Sequence, residues 1–339
     1  MRSLGDSRIL TRRLKELVPV TDNWNAALAR ATGDYIIMLG DDDALVPGGL
    51  SRLTRLIEAW RHPEAIYAQA HQYAYPGVIP GHANPFVQTG YNAFLEGVQK
   101  DFELAPAIAL DMVRSAMGFY ILYGFNMQHF VISRRLVERL KPKGPFFQSP
   151  YPDYYAANAV LLTARPLVVT PEPVALIGIS PKSFGYYYFN AREEEGVAFL
   201  QNGVDSDIAA SLLNEFVPGS NMNDSWLCAM QTLARNFSEM NGLRVHFHGY
   251  RRLQYFALLK KWNREAFLVL LRHMRWWEFA LYGAAALAIA AVSILPGRAR
   301  ARARGEIIHK LFSPAPRFDP HLTVVPHRDI LEAARANVP

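Results

Sequence analysis

Asp41, Asp42 and Asp43 are the residues of this 339-residue chain best suited to chemistry. They follow residues 34–40, whose apolar and β-prone side chains predict a buried strand that ends at a glycine. A buried strand that ends in carboxylates directs oxygens into the crevice beyond the sheet edge, where α/β proteins bind ligands. Carboxylates this close repel one another unless a cation lies among them, and oxygen ligands suit Mg²⁺ or Mn²⁺, which usually hold a substrate's phosphates. The triplet therefore predicts a metal-dependent enzyme acting on a phosphorylated donor.

Two helices are predicted to position this strand and its acids. Thr21 or Asp22 can cap an Ala-rich helix that stops at Thr32-Gly33. After the acids, Pro47 opens an amphipathic helix whose apolar residues keep helical spacing, namely Leu50, Leu53, Leu56 and Ile57. The predicted order is helix, buried strand, acidic turn, helix.

Three strings in this region resemble the family 2 glycosyltransferases. They are DNWNAAL at residues 22–28, ATGDYI at residues 31–36 and LGDDD at residues 39–43. The close resemblance covers residues 20–60, and a looser one extends to residue 190. It implies an inverting enzyme with a nucleotide-sugar donor. It also implies an α/β fold of the GT-A type, with a Rossmann-like, mostly parallel sheet flanked by helices.

The resemblance also implies roles for individual residues. Asp41 and Asp43 match the family's Asp-x-Asp motif, whose acids contact the ribose of the donor and hold the divalent ion on its diphosphate. The expected metal ligands are thus Asp43 and Asp41, and the expected donor-binding residues are Asp41, Asp42 and Asn25. Asp42 could share either role. A bridging cation would neutralise the leaving diphosphate and so ease the breaking of the sugar–phosphate bond.

Asp153 is the candidate for catalysis. It follows Pro150-Tyr151-Pro152 and precedes a helix-compatible run, so capping that helix is its simplest structural role. In the family, an acid in a comparable place is the general base that deprotonates the acceptor hydroxyl. Inversion needs a single in-line displacement, for which one carboxylate on the acceptor side suffices. Asp111 is the weaker rival, and a solvated helix face explains it adequately.

The first twenty residues depart from the family pattern. Family members usually start with two strands that bind the nucleotide base, whereas residues 1–20 predict no strand pair and carry five basic side chains: Arg2, Arg8, Arg12, Arg13 and Lys15. We therefore expect an N-terminally incomplete GT-A-like domain. Either another polypeptide supplies the remainder, or the chain is an incomplete copy, and its activity on its own is an open question.

The C-terminal third predicts association with a membrane. Residues 244–275 mix arginines and lysines with apolar residues, and residues 279–295 contain seventeen positions without a charge, preceded by Trp276-Trp277. An arginine-rich run follows at residues 298–304. A buried core helix is the other interpretation of residues 279–295. Nucleic acid is not an expected partner, because base-stacking aromatic motifs are missing from the arginine run.

These patterns divide the chain into four parts. Residues 1–190 form the partial GT-A-like domain, residues 191–261 a helical subdomain on the acceptor side, residues 262–297 membrane-associated helices, and residues 298–339 a basic, Pro-containing tail.

The remaining candidate residues give weaker signals. Cys228 is the single cysteine and excludes an intrachain disulfide. His246 and His248 alternate as on a strand, where a metal role is weaker than ordinary packing. Lys182, in an aromatic loop, is either near the diphosphate or simply solvated.

The leading functional hypothesis is transfer of a sugar from a nucleotide-sugar donor to a glycan or lipid-linked acceptor. Nucleotide sugars are made in the cytoplasm, so the expected location is the cytoplasmic side of the cell membrane. The rival is a catalytically impaired homologue that acts as a binding or assembly subunit. A metal-dependent phosphohydrolase is the third class of function.

Overall fold

The computed structural model of the protein describes residues 6–89, 93–95, 97–200, 203–240, 242–261, 263–292, 323–324 and 329–336. Two predictions fall outside these ranges, the arginine-rich run at residues 298–304 and most of the Pro-containing tail. Within them the chain folds as a mixed α/β protein built on a single eight-stranded sheet. The strands are β1 (Tyr35–Ile37), β2 (Ala44–Leu45), β3 (Ala65–Ala74), β4 (Phe86–Gln88), β5 (Phe102–Glu103), β6 (Phe130–Ser133), β7 (Leu167–Ile179) and β8 (Thr323–Val324).

The two long strands β3 and β7 form the centre of this sheet. They run parallel from the pair Ala65 and Leu167 to the pair Ala74 and Ile179, and every residue of β3 is buried. On one side of β3, β6 pairs antiparallel with it and then with β1. On the far edge of β7, β2 and β5 pair antiparallel at opposite ends. Strand β4 also pairs antiparallel with β3, and β8 with β4.

The prediction of a mostly parallel sheet is therefore wrong. Among the strand pairs of the described residues, β3 with β7 is the one parallel pair. The strand–helix–strand order from β1 to β3 indicated parallel neighbours, and the two strands do run in the same direction. However, β6 lies between them and is antiparallel to both. Nothing local in the sequence reveals this insertion.

Helices cover the sheet and build the C-terminal part. They are α1 (Val20–Leu28), α2 (Gly49–Ala59), α3 (Pro106–Met117), α4 (Arg134–Leu140), α5 (Pro152–Thr163), α6 (Phe184–Phe189), α7 (Glu193–Leu200), α8 (Ser206–Leu212), α9 (Asn221–Asn236), α10 (Phe247–Lys261), α11 (Arg264–His273), α12 (Trp276–Val292) and α13 (Ile330–Arg335). Helix α5 packs against α3 and α9 and is buried on all sides from Tyr154 to Leu162. A helix that is apolar all round belongs in a core, and its fixed position gives its first turn a fixed position as well.

The N-terminal segment, for which no strand pair is predicted, is described from residue 6 onwards. Residues 6–19 contain no strand or helix, and Leu10 and Leu17 among them are exposed. Within the described residues, β6 is the one strand that pairs with β1.

Helix α12 docks on α10 by one face and exposes the other. Glu278 is fully buried and accepts two hydrogen bonds from the Arg251 guanidinium, at 2.9 and 2.7 Å. The Tyr282 hydroxyl donates to the His248 carbonyl oxygen at 3.0 Å. The opposite side carries exposed large apolar residues, namely Trp276, Phe279, Leu281 and Leu287. This exposure contradicts the alternative of a buried core helix. In the part of the chain that the structure describes, no helix is both long enough and apolar enough to cross a bilayer.

The last described residues return to the sheet. Strand β8 extends the sheet at β4, and α13 buries Ile330 and Ala333 against Tyr73 and Leu176. The predicted tail from residue 298 onwards thus contains two ordered pieces packed on the α/β domain. Short apolar stretches such as residues 323–324 and 330–334 give too weak a periodic signal to be recognised alone.

Candidate functional site: a carboxylate cleft at the end of the central strands

The acidic turn connects β1 to β2, as the sequence predicts. Asp41 is exposed, Asp42 and Asp43 are half-buried, and the Asp43 amide donates to the Gly40 carbonyl oxygen at 3.4 Å. The turn lies against β7, where the backbone of Gly178 approaches that of Asp42 very closely. A Cβ atom at Gly178 would lie 1.8 Å from the Asp42 carbonyl oxygen, so this position requires glycine.

Asp43 fixes this turn in place. Its Oδ2 atom accepts hydrogen bonds from the Gly40 amide (2.5 Å) and the Gln128 side-chain amide (2.6 Å), and its Oδ1 atom accepts one from the Gly178 amide (2.9 Å). Burial raises the pKa of Asp43, the three hydrogen bonds oppose that rise, and the charge of Asp42 adds to it. A carboxylate that accepts three N–H hydrogen bonds has few oxygen lone pairs left to bind a cation. The contacts of Asp43 therefore favour an anchoring role over the predicted metal-ligand role.

Asp42 contacts the loop that follows β7. The Ser183 hydroxyl donates to Asp42 Oδ2 and also accepts a hydrogen bond from the Ser180 amide at 2.8 Å. Residues 180–183 are thus tied to the acidic turn just before α6 begins. Lys182 lies in this loop and is exposed. The sequence predicted a loop near the donor here, but not the serine that connects it to Asp42.

Asp153 lies in the first turn of α5, close to the acidic turn, and we name the acidic turn and Asp153 together the carboxylate cleft. The Met127 amide donates to its Oδ1 atom at 2.8 Å, and no side-chain bond caps the helix, so the capping interpretation is wrong. Burial raises the pKa of Asp153 to about 7; the Met127 hydrogen bond opposes this rise and the negative charge of Asp43 contributes to it. The charge of Asp43 raises the pKa of Asp153 because the two carboxyl groups are near each other.

A single 3₁₀ turn, Met127–His129, connects the two acids. Its first residue donates its amide to Asp153, and its second residue, Gln128, donates its side-chain amide to Asp43. Sequence reasoning missed Gln128, because it lies in a short 3₁₀ turn just before β6 that no motif marks. The Oε1 atom of Gln128 is buried and has no hydrogen-bond partner among the residues that the structure describes.

Asn25 is not a free donor-binding group. Its side-chain amide donates to the Phe147 carbonyl oxygen at 2.8 Å and accepts from the Phe147 amide at 3.1 Å. Nearby, the Thr21 hydroxyl donates to the Ser149 carbonyl oxygen at 2.8 Å. These bonds fasten α1 to the segment that leads into α5. The amide of Asn25 thus has a structural role, and its predicted contact with the donor stays a prediction.

The weaker candidates lie elsewhere. Asp111 is exposed on α3 and pairs with Arg114 at 3.1 Å, which agrees with its interpretation as a solvated residue. His246 and His248 do not share a strand, because α10 begins at Phe247 between them. Their ring centroids are 5.7 Å apart.

Helix α13 packs against β2 and β7, next to the acidic turn. Burial raises the pKa of Tyr75, as do the charges of Asp42 and Asp329, and the Tyr75 hydroxyl is hydrogen-bonded to the Ile330 backbone. Helix α13 thus lies close to the acidic turn, beside β2. The sequence gives no indication of this contact between residues almost 300 positions apart.

The residues present fit a divalent cation shared with a ligand. No group of three or more His, Cys, Asp or Glu side chains is placed to hold a metal anywhere in the described ranges. Mg²⁺, however, is commonly held by one or two protein carboxylates, with waters and substrate phosphates completing its coordination. Asp41 and Asp42 are adjacent carboxylates with no bond to the backbone of the turn, so they suit that arrangement.

A mixed sheet with a carboxylate cleft at the end of its central strands is consistent with a GT-A-like fold. Residues 3–106 match the family model of glycosyl transferase family 2. Over this segment the chain is therefore similar to the family 2 glycosyltransferases, which agrees with the resemblance of its motifs. The match includes the acidic turn but not Gln128, Asp153 or Ser183. No curated protein matches the sequence.

Proposed function

We propose that this protein transfers a sugar from a nucleotide-sugar donor to a glycan or lipid-linked acceptor, with inversion at the anomeric carbon. The observation that carries the proposal is the 3₁₀ turn Met127–His129, which holds Asp43 and Asp153 in one cleft beside Asp41 and Asp42. One side of the cleft offers carboxylates for a metal-bound diphosphate. The other side offers a carboxyl group with a pKa suited to proton transfer.

On the donor side, Asp41 and Asp42 would hold Mg²⁺ or Mn²⁺, and Asp43 keeps their turn in position. When bound, the cation would neutralise the negative charge that develops on the leaving diphosphate. Ser183 is bonded to Asp42, so the loop at residues 180–183 lies beside the proposed donor site. Asp42 is the better ligand candidate than Asp43, because its carboxylate has a hydroxyl partner rather than three N–H donors.

On the acceptor side, Asp153 is the general base. A base is most effective when its pKa lies near the working pH, and burial brings that of Asp153 to about 7. Its carboxylate removes the proton of the acceptor hydroxyl as that oxygen attacks the anomeric carbon. The Met127 amide donates to Oδ1 and so holds the carboxyl group in position. One displacement with one base yields the inverted product.

We also propose attachment to the cytoplasmic surface of the cell membrane through α12. Its exposed face carries Trp276 (83% exposed) and Leu287 (73% exposed), while its other face is docked through Glu278. A docked helix with an exposed apolar face and a tryptophan at its start suits a position in the interface, parallel to the membrane. Nucleotide sugars and a lipid-linked acceptor meet on this side of the membrane.

The second candidate function is a binding or assembly subunit without turnover. It is favoured by Asp43, an expected metal ligand whose carboxylate instead accepts three N–H hydrogen bonds from the protein. Such a subunit would retain acceptor binding and the acidic turn but not catalysis.

Incubation of the full chain with a panel of nucleotide sugars and lipid-extract acceptors separates these functions. We expect consumption of one donor, formation of a glycosylated product by mass spectrometry, and loss of both on addition of EDTA with recovery on addition of Mn²⁺. Release of free sugar without a product would instead indicate a hydrolase. Acceptor binding without consumption of any donor would favour the assembly subunit.

A further inference from the structure

A basic pocket lies on the protein surface outside the carboxylate cleft. It has a volume of about 450 Å³ and is lined by Arg114, Gly242, Leu243, Arg244 and His246. Arg114 is near the end of α3, and the other residues belong to the loop that leads into α10. The sugar-transfer chemistry proposed above uses none of these residues.

The lining of this pocket is positively charged. It contains two arginines and one histidine and no acid. Arg244 is exposed and forms no ion pair or hydrogen bond with any residue that the structure describes. Arg114 has one carboxylate partner, Asp111, in a pair exposed to solvent. Such an exposed pair is weak and leaves most of the guanidinium donors available.

The pocket is held in shape by backbone contacts. The His246 amide donates to the Met117 carbonyl oxygen at 3.0 Å, which fixes the loop to the end of α3. Gly249 packs so closely on Gly118 that an added Cβ would lie 2.3 Å from the Gly118 carbonyl oxygen. Gly242, with φ of +88°, turns the loop toward Arg114. The two arginines are therefore carried by anchored segments, as a binding site requires.

A series of neighbouring rings leads from the pocket to the start of α12. The ring of His246 lies 5.7 Å from that of His248, which in turn lies 5.8 Å from the ring of Trp277. The neighbouring Trp276 is exposed, as is Phe279 one turn later. Cationic donors beside an apolar helix face match the two parts of a phospholipid, an anionic headgroup and acyl chains.

We propose that the pocket formed by Arg114, Arg244 and His246 binds the phosphate group of an anionic phospholipid while the exposed face of α12 enters the membrane interface. Arginine is suited to this ligand because its planar donors bind phosphate oxygens in pairs. The inference rests on the membrane part of the proposed function and is independent of the sugar-transfer chemistry. It gives the protein one defined orientation on the membrane.

Co-sedimentation of the full chain with phosphatidylcholine vesicles, with and without phosphatidylglycerol, tests this site. The double variant R114Q/R244Q is compared with R30Q/R55Q, which removes the same charge from two exposed arginines elsewhere. We expect wild type and R30Q/R55Q to bind the anionic vesicles alike, and R114Q/R244Q to bind them about tenfold or more weakly. Equal weakening in both double variants, or no binding by wild type, would overturn the proposal.

Two further experiments identify the source of the phosphate and test whether lipid binding is independent of the carboxylate cleft. Soluble glycerol 3-phosphate should compete poorly, since it lacks the apolar contact with α12; competition as strong as that of vesicles would show a site for soluble phosphates and overturn the lipid assignment. D153N should bind vesicles as wild type does. If D153N proves fully active in sugar transfer while R114Q/R244Q loses vesicle binding, the base assignment fails and the lipid site stands.

Discussion

Asp43 and Asp153 lie in one cleft and are held by the same 3₁₀ turn, yet their surroundings suit them to opposite tasks. Asp43 accepts three N–H hydrogen bonds, two from backbone amides and one from Gln128. Asp153 accepts one from the backbone of another segment, at Met127, and its pKa is raised to about 7. The number of donors around each carboxylate thus distinguishes an anchor from a group that can exchange a proton.

The largest expected effect comes from replacing the proton-accepting carboxylate. Asp153→Asn should lower the rate of sugar transfer by about 10²–10⁴-fold, because the amide cannot remove a proton from the acceptor. The affinity for the donor should not change, since the donor side of the cleft is intact. Steady-state kinetics with donor binding by calorimetry measures both. Asp111→Asn is the matched control on an exposed acid and should be fully active; comparable losses in the two variants would contradict the assignment.

The second prediction distinguishes the roles of the neighbouring residues Asp42 and Asp43. Asp42→Asn should weaken Mn²⁺-dependent donor binding at least about tenfold with little change in stability. Asp43→Asn should instead lower the free energy of unfolding by about 1–3 kcal/mol, because the new amide nitrogen faces an N–H donor and leaves it unpaired. Urea unfolding and Mn²⁺-dependent nucleotide binding distinguish the two. Unchanged stability of Asp43→Asn would remove the basis for calling Asp43 an anchor.

The third prediction concerns Gly178, whose backbone contacts both Asp42 and Asp43. Gly178→Ala would bring a methyl group onto the Asp42 carbonyl oxygen, so the turn must move away from β7. We expect a loss of about 1–3 kcal/mol in stability, as for other overpacked sites, together with weaker donor binding. Gly203→Ala is the control, because a Cβ there meets no atom within 4 Å. A stable Gly178→Ala variant with normal donor affinity would show that the close approach is unimportant.

The acidic turn and its flanking elements could be predicted from the sequence because their signals are local. Helix α1, strand β1, the aspartates and helix α2 are consecutive, and periodicity with Gly and Pro positions reveals each of them. The role of Asp153 came from the family resemblance, and its burial and pKa agree with that role.

The remaining features of the site depend on contacts between distant residues. Gln128 bonds to Asp43 across 85 positions and Ser183 to Asp42 across 141, and neither pair leaves a pattern in a single sequence. The insertion of β6 between β1 and β3 is non-local in the same way. The bonds of the Asn25 amide to Phe147 are likewise long-range, and a motif match cannot show them.

The smallest expected effect concerns the support that α13 gives to the acidic turn. Ile330→Asp places a charge among apolar residues beside β2, so α13 should detach and donor binding should weaken a few-fold. Leu331→Asp, on the exposed side of the same helix, is the matched control and should behave as wild type. Calorimetric donor titration of both variants measures the difference. Identical affinities in the two would show that α13 does not support the site.

The pH dependence of kcat/KM tests the contrast between the two carboxylates most directly. The pKa of Asp153 is raised by burial to about 7, and the base works only when deprotonated. Below that pH, kcat/KM should therefore fall about tenfold per pH unit in wild type, and the residual activity of Asp153→Asn should lack this limb. An identical acid limb in Asp153→Asn, or wild-type activity that stays level down to about pH 4, the ordinary range of an aspartate, would contradict the account.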